Sequence, residues 1–562
     1  MRSALALLTC IGLSLAQSVD PLAQIIASGN DVLLKLDYAT YRGYHNSTNE
    51  VYTFRNIRFA ASPTGELRWQ KPVPPGKVSE VQDRQEPIAC TQPPSDKVQT
   101  VGGAVVGKGS EDCLFLDLTI PEKVVRSDKK EKVPVLIWVH GGFYTQGSKD
   151  ERSFHQLAKL SDGNIISVAA NYRIGAYGFL GGSTVGGQGI QNVGLWDQRA
   201  AFEWVQQYIP YVGGNINKVT AMGVSAGAGC ILHHLTAEGG VRNPLFQKAI
   251  LQSAGYATVQ DMTGAVEREY SRIEEFAGCK NKGLACLRAL DEEAMRKVSV
   301  FANSGNRQCD SGWNPVVDGI YVVNTPTIEI AKGRFYKEMT SIISGYAINE
   351  AGRMWFVDQS MNPSAKFDEY ARCVFGNRAS PRLAKLSGRL QELYPAIEKP
   401  GSPFKTTNEQ VARYIADMDF NCHHRALAQA YPTSTYTYQT SLWGGTHYMD
   451  QFPSFFDPNG VGVNLILKSS TRDLSSLQAF QSYLVSEIIT GDPNTLRSKE
   501  KTIEWPLTAG FNDTALKGVL NFTSPSGPDG FSVITSERLM KERCDFWNEF
   551  WTEVDQALIF GS

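Results

Sequence analysis

Apolar and polar residues fall along the chain in blocks of two kinds. Val133–Val139 (VPVLIWV) is a nearly unbroken apolar run, and Ile165–Ala170, Val219–Met222, Ala249–Leu251 and Ser341–Ile343 are shorter runs like it. Runs without alternation predict strands covered on both faces, as in the middle of a parallel sheet. Between them, Gly194–Tyr208 (GLWDQRAAFEWVQQY) has helical spacing, which brings Leu195, Ala201, Val205 and Tyr208 toward one face. Strands alternating with helices predict an α/β fold: a mostly parallel central sheet with helices on both faces. No internal repeat, low-complexity block or Pro/Gly/Ser-rich linker divides the chain, so residues 17–562 are expected to form one domain. Ligands of such sheets bind outside the carboxyl ends of the strands. The residues just after each strand are therefore the candidates for chemistry.

Composition narrows the partners. The 55 basic and 57 acidic residues give a formal charge of -2, which favours neither nucleic acid nor an anionic membrane. The basic stretch Arg126–Lys132 also holds Asp128 and Glu131 and reads as a solvated loop. The first residues are more telling. Arg2 precedes the apolar stretch Ala4–Ala16, and Ser14-Leu15-Ala16 fits a small-x-small cleavage site. Residues 1–16 are expected to be a secretory signal peptide, too short to span a bilayer, and the product to be secreted and extracellular. No later run reaches the length of a membrane helix. Of ten cysteines, Cys10 leaves with the signal, and the odd remainder requires at least one unpaired thiol. The absence of any C-x-x-C pair argues against zinc or thioredoxin-type chemistry. Cys279 and Cys286 are close enough in sequence to close a small loop. Asn46, Asn512 and Asn521 open N-x-S/T sequons and are expected glycan acceptors in a secretory chain.

Two motifs carry candidate chemistry. After the strand Val219–Met222 comes Gly223-Val224-Ser225-Ala226-Gly227, the one G-x-S-x-G in the chain. At average glycine and serine usage, roughly one chain in five of this length shows that pattern by chance. Its context raises it above chance: a β-branched strand precedes it, and Ala228–Leu235 can continue as a helix. Such a strand-to-helix turn lifts a serine hydroxyl to the sheet edge, with helix amides and a positive dipole end behind it. Ser225 is thus the candidate nucleophile, with the amide of Ala226 aimed at a developing oxyanion. The strand Val133–Val139 runs into His140-Gly141-Gly142-Phe143, similar to an HGGG oxyanion loop. Gly142 and Phe143 are the further amide donors expected there. His140 is expected to orient the loop and to do no acid–base work.

With further motifs in matching order, the chain resembles the type-B carboxylesterase/lipase family, which includes cholinesterases and several fungal lipases. The motifs are Glu111–Leu116 (EDCLFL), Asn171-Tyr172-Arg173, Asp197–Ala201 (DQRAA), Asn314–Gly319 (NPVVDG) and Gly491-Asp492-Pro493-Asn494. The resemblance implies the α/β-hydrolase fold and hydrolysis of small-molecule carboxylic esters through an acyl-enzyme, with no cofactor and no metal. It also implies the rest of a triad. Family members place a glutamate five residues after a strand-end glycine, which here is Glu350 after Gly345; Ala351 stands where the family has glycine. The family histidine, followed at the third position by an acid, corresponds to His447 with Asp450. Asp318 is the nearest rival acid. The order Ser225, Glu350, His447 matches that fold. Activity is then expected to rise with pH as the histidine loses its proton. The resemblance further pairs Cys90 with Cys113, Cys279 with Cys286 and Cys422 with Cys544. Cys309 and Cys373 remain a further candidate pair, and Cys230 the leftover thiol.

Two departures bear on substrate. Phe143 occupies a position where the family has glycine or alanine, and its benzyl group must be housed near the oxyanion site. Poor hydrolysis of bulky tertiary-alcohol esters is expected. The loop Thr91–Asp112 holds no Trp, Tyr or Phe, whereas cholinesterases carry a tryptophan there that binds a quaternary ammonium. Choline esters are therefore disfavoured. The loop's lack of bulky apolar residues leans toward an esterase of dissolved esters over a triacylglycerol lipase. A non-catalytic adhesion protein on the same fold is the remote alternative, disfavoured because all three triad positions are occupied. Trp355, Phe356, Trp443, Phe452 and Phe455 follow the acid or flank the histidine, where they line a pocket or belong to the core.

Overall fold

The computed structural model describes residues 23–28, 31–92, 99–101, 104–127, 131–256, 264–303, 313–352, 381–458, 475–523 and 530–560. The proposed signal peptide, the pair Cys309 and Cys373, and Trp355 and Phe356 lie outside the described residues, as does part of the loop Thr91–Asp112.

One large sheet organises the described residues. Its main strands in chain order, besides the two-residue Val81–Gln82 that pairs with Thr40–Asn46, are β1 (Ala23–Ser28), β2 (Asp31–Leu36), β3 (Thr40–Asn46), β4 (Val51–Arg58), β5 (Phe115–Pro121), β6 (Val133–Val139) and β7 (Ile166–Ala170), followed by β8 (Gly214–Val224), β9 (Lys248–Gln252), β10 (Ser341–Ala347), β11 (Thr435–Thr440), β12 (Leu516–Phe522) and β13 (Phe531–Ser536). Their spatial order is β1-β2-β3-β4-β5-β7-β6-β8-β9-β10-β11-β12-β13. From β7 to β12 every neighbouring pair is parallel. The edges β1–β5 and β12–β13 are antiparallel. This is the mostly parallel α/β-hydrolase sheet that the sequence predicts, with antiparallel margins that its pattern does not announce.

The unbroken apolar runs have a direct packing reason. Val135, Ile137 and Val139 of β6 join a core on one face, with Val219 and Ala221 of β8 and Leu251 of β9. That face is covered by α1 (Val193–Tyr208), through Leu195, Phe202 and Val205, and by α2 (Ala226–Leu235), through Ile231 and Leu235. The intervening Leu136 and Trp138 join Met222, Val224 and Ile250 in a second core on the opposite face. There α3 (Ser475–Thr490) supplies Leu477, Phe480, Leu484 and Ile488. A strand with apolar neighbours on both sides must itself be apolar at every position. The two cores set the sheet rigidly between helices and leave its carboxyl edge to the loops after β6, β8, β10 and β11.

Leu484 is fully buried in the second core. Leu484→Ala is expected to cost about 2–5 kcal/mol of unfolding free energy. Urea titration followed by tryptophan fluorescence measures this, and a loss below roughly 0.5 kcal/mol, the range of ordinary surface substitutions, would contradict the packing described.

Candidate active site

The turn after β8 explains its own sequence. Ser225 has φ 54° and ψ -125°, a backbone state that costs a residue with a side chain about 1–3 kcal/mol. Three hydrogen bonds hold it: Ser225 N–H donates to Gln252 O at 2.8 Å, and Ser225 O accepts from Gly229 N at 2.9 Å and Gly255 N at 3.0 Å. The flanking glycines are forced by contact. A Cβ on Gly223 would lie 2.8 Å from the carbonyl carbon of Gly227, and one on Gly227 would lie 2.3 Å from Val139 O. Helix α2 therefore starts directly against the end of β6. Ala226 is its first residue, so its N–H lies in the turn where no intrahelical acceptor exists.

Three loops meet at Ser225. His447 Nε2 lies 2.8 Å from Ser225 Oγ, and His447 Nδ1 lies 2.6 Å from Glu350 Oε2. Glu350 is buried, and its other oxygen accepts from Ala347 N at 2.6 Å. The acid loop and the histidine loop are laced together: Asn349 N–H donates to Gly445 O at 2.8 Å and Asn349 Nδ2 to Gly444 O at 2.7 Å. The ring of Phe420 stands 4.8 Å from that of His447.

A second lacing runs through Tyr438 of β11. Gly345 makes room for it, since a Cβ there would lie 1.9 Å from the Tyr438 ring. The Tyr438 hydroxyl donates to Asp450 Oδ2 at 2.6 Å and accepts from Gln252 Nε2 at 2.8 Å. Burial pushes the Asp450 carboxyl up to about 6. Asp450 thus ties the histidine loop to β9 and β11. Gln252 does double duty: its backbone oxygen holds the Ser225 turn and its side chain the tyrosine. Neither Tyr438 nor Gln252 stands out in the sequence, where both read as ordinary strand residues. The rival acid Asp318 caps a turn instead, accepting from Ile320 N at 2.8 Å, Val322 N at 2.9 Å and Asn192 Nδ2 at 2.8 Å.

The loop after β6 lies against Ser225. A Cβ on Gly141 would stand 2.7 Å from Val224 O and 3.2 Å from Ser225 Cβ. Gly142 has φ 106°, and Phe143 and Tyr144 follow with φ 56° and 59°. The loop is curled so that Gly142 O accepts from Thr145 N at 2.9 Å and Gln146 N at 3.0 Å. Tyr144 is buried and donates its hydroxyl to Gly255 O at 3.1 Å. Phe143 keeps its side chain 37% exposed, so the benzyl group sits toward the surface and not in the core. His140 is buried, stacks on Tyr172 with ring centroids 4.3 Å apart, and donates from Nδ1 to Gly141 O at 2.9 Å. Burial lowers its pKa to about 4, which suits a neutral orienting ring.

The remaining sequence candidates divide. Cys90–Cys113, Cys279–Cys286 and Cys422–Cys544 are disulfides, and Cys230 is a buried free thiol pushed up to about 12 by burial. Asn512 is exposed and Asn46 half-buried. Asn521 is half-buried on β12, and its Oδ1 accepts from Gln439 Nε2 at 3.1 Å and Ser441 Oγ at 2.9 Å. Phe455 packs edge-on against Trp138 at 5.0 Å and Phe154 at 5.6 Å, which makes it core. Trp443, 37% exposed, packs edge-on against Phe452. Two of the motif acids are structural: Asp197 receives the Arg173 guanidinium at 2.7 Å, and Glu111 that of Arg68 at 2.8 Å. Among the described residues no group of three or more His, Cys, Asp or Glu is arranged to hold a metal, and no helix is long and apolar enough to cross a membrane.

A serine, histidine and glutamate in hydrogen-bonded series at a parallel sheet's carboxyl edge, beside a glycine-rich loop, define the α/β-hydrolase class. Comparison with known proteins agrees. A profile of the carboxylesterase family matches residues 31–547, and the chain belongs to that family. A secreted lipase of Arthroderma benhamiae is 33% identical over 79% of this chain and 83% of its own. The carboxylesterase patB of Penicillium expansum is 30% identical over 80% of this chain and 86% of its own. The crystal structure of Aspergillus niger EstA superposes with a TM-score of 0.74 at 25% identity, over 92% of this chain and 98% of that one. The protein is a carboxylic ester hydrolase.

The environment of His140 makes a testable statement about pH. Its ring is neutral in the fold down to about 4, whereas the unfolded chain takes up the proton below about 6.5. Its stabilising contribution is therefore complete above the unfolded value and is lost as pH falls toward the folded one. The stability difference between wild type and His140→Gln should narrow by about 1.4 kcal/mol per pH unit on the way down and stay constant at higher pH. Urea unfolding across a pH series measures it. A difference independent of pH would contradict a neutral buried ring.

Proposed function

We propose that the protein is a secreted serine esterase that works through an acyl-enzyme on dissolved esters of primary or small alcohols. The observation that carries this is the 2.8 Å contact between Ser225 Oγ and His447 Nε2, backed by the 2.6 Å contact from Nδ1 to Glu350. His447 Nε2 accepts the Ser225 proton as Oγ bonds to the ester carbonyl carbon. The carbonyl oxygen becomes an oxyanion, held by the amides of Gly142, Phe143 and Ala226; one such donor is typically worth about 2.7–4 kcal/mol of barrier. The alcohol leaves with the proton from Nε2. Water then gives a proton to the same nitrogen as it attacks the acyl carbon, and Ser225 Oγ leaves the acyl carbon with that proton as the acid is freed. Glu350 keeps the imidazole in the tautomer with hydrogen on Nδ1 and stabilises the imidazolium. Secretion is supported by the apolar leader after Arg2, by three disulfides among the described residues, and by the name of the Arthroderma relative. Asn46 and Asn512, at or near the surface, suit glycan attachment better than Asn521, whose amide is engaged in the sheet.

A second reading, a lipase acting at an oil–water interface, is favoured by one observation: relatives carry that name, including lipase 1 of Geotrichum candidum, 28% identical over 79% of this chain and 84% of its own. Hydrolysis of dissolved n-propyl butyrate, tert-butyl butyrate and emulsified triolein by wild type and Ser225→Ala tests both readings. Esterase activity predicts turnover of the dissolved primary ester, little of the tertiary one, and a loss in Ser225→Ala on the order of 10⁴-fold or more. A rate jump above substrate solubility would establish the lipase instead. Full activity in Ser225→Ala would refute both.

A further inference from the structure

The histidine loop is tied to the acid side of the site twice, by Asn349 to Gly444 and Gly445 and by Asp450 to Tyr438. Neither tie reaches the loop after β6, which carries the proposed oxyanion donors. Yet a base and an oxyanion site held independently would drift relative to each other, and a misplacement of 1 Å can cost about 10²-fold in rate. Among the described residues a polar contact spans that gap. The Tyr448 hydroxyl donates to Glu151 Oε2 at 3.0 Å, across 297 positions of sequence.

Both ends of this contact are fixed. Glu151 closes the short turn Lys149–Glu151, which follows the oxyanion loop. That turn is anchored to the sheet margin. The buried Lys149 ammonium contacts Asp117 at 2.8 Å and Asp150 at 3.0 Å, Lys149 N–H donates to Asn171 Oδ1 at 2.9 Å, and Arg55 pairs with Asp150. The other oxygen of Glu151 accepts from Ser148 N at 3.1 Å. It also stands beside Gly147, where a Cβ would lie 3.0 Å from Glu151 Oε1 and 2.3 Å from His140 Nδ1. Glu151 therefore bears on the root of the oxyanion loop. At the far end, Tyr448 directly follows His447 and has φ 78°, a left-handed state that a side chain resists. The guanidinium of Arg152 lies 5.2 Å from the Tyr448 ring centroid and adds a second hold on it.

We propose that the Glu151–Tyr448 hydrogen bond is a strut that sets His447 in register with the oxyanion loop, making Glu151 and Tyr448 positioning residues for ester hydrolysis. The inference rests on Ser225 and His447 acting as proposed. The strut fixes the base relative to the oxyanion donors and leaves substrate capture alone, so its loss acts on kcat and not on KM. The two residues act as one unit, so removing both costs no more than removing one.

Tyr448→Phe, Glu151→Gln and the double variant test this by steady-state hydrolysis of p-nitrophenyl butyrate, fluorophosphonate labelling of Ser225 and thermal melting. The expected result for Tyr448→Phe is a fall in kcat of about tenfold with KM within about twofold, labelling slowed in parallel, and a double variant no slower than the slower single one. A wild-type kcat in Tyr448→Phe overturns the strut, as does a loss confined to KM or to the melting temperature, or one that multiplies in the double variant. If wild type is active but its Ser225 does not react with the fluorophosphonate, the nucleophile assignment fails instead, and the strut falls with it.

Discussion

The site depends on one imidazole bridging two loops to a third. His447 reaches Ser225 with one nitrogen and Glu350 with the other, at 2.8 and 2.6 Å. Those contacts exist because β8, β10 and β11 are parallel neighbours or near neighbours and end at one edge. The two apolar cores that clamp the sheet keep that edge from shifting. Stability and site geometry are joined there: the same unbroken apolar strands that bury both faces present their carboxyl ends, with no side-chain choice left to them, to the loops that carry Ser225, Glu350 and His447.

Close packing makes the loops specific. Gly223 and Gly227 let helix α2 begin against β6, so that Ser225 is held in a costly backbone state by three hydrogen bonds. Gly345 clears the Tyr438 ring, whose hydroxyl then holds Asp450 and through it the histidine loop. The family's spacing of a glycine before the acid thus has a physical reason in this chain. It admits an aromatic ring whose far end organises the histidine loop.

Much of this was legible from residues alone. The runs at Val133–Val139 and Val219–Met222 read as buried strands because both faces are covered, and Ser225 stood out because its turn needs small flanks. Glu350 and His447 are legible only through the family resemblance; nothing local separates one acid from 57, and its partner lies 97 positions away. The antiparallel margin β1–β5 went unannounced because a half-exposed strand such as β3 mixes apolar and polar positions. Tyr438, Gln252, Asn349 and Glu151 were invisible for a related reason. Each acts through contacts to residues elsewhere in the chain, and pairing across the fold leaves no periodic or compositional trace. Phe455 could be core or pocket from its sequence neighbours, and only its packing on Trp138 decides.

The most direct measurement is to quench the enzyme during turnover of a slowly deacylating ester and map the acyl group by peptide mass spectrometry. The expected result is a single acyl group on the peptide containing Ser225 in wild type and none in His447→Ala over the same time. An acyl group on another residue, or acylation of Ser225 at the wild-type rate without His447, would contradict the bridge on which the site is built.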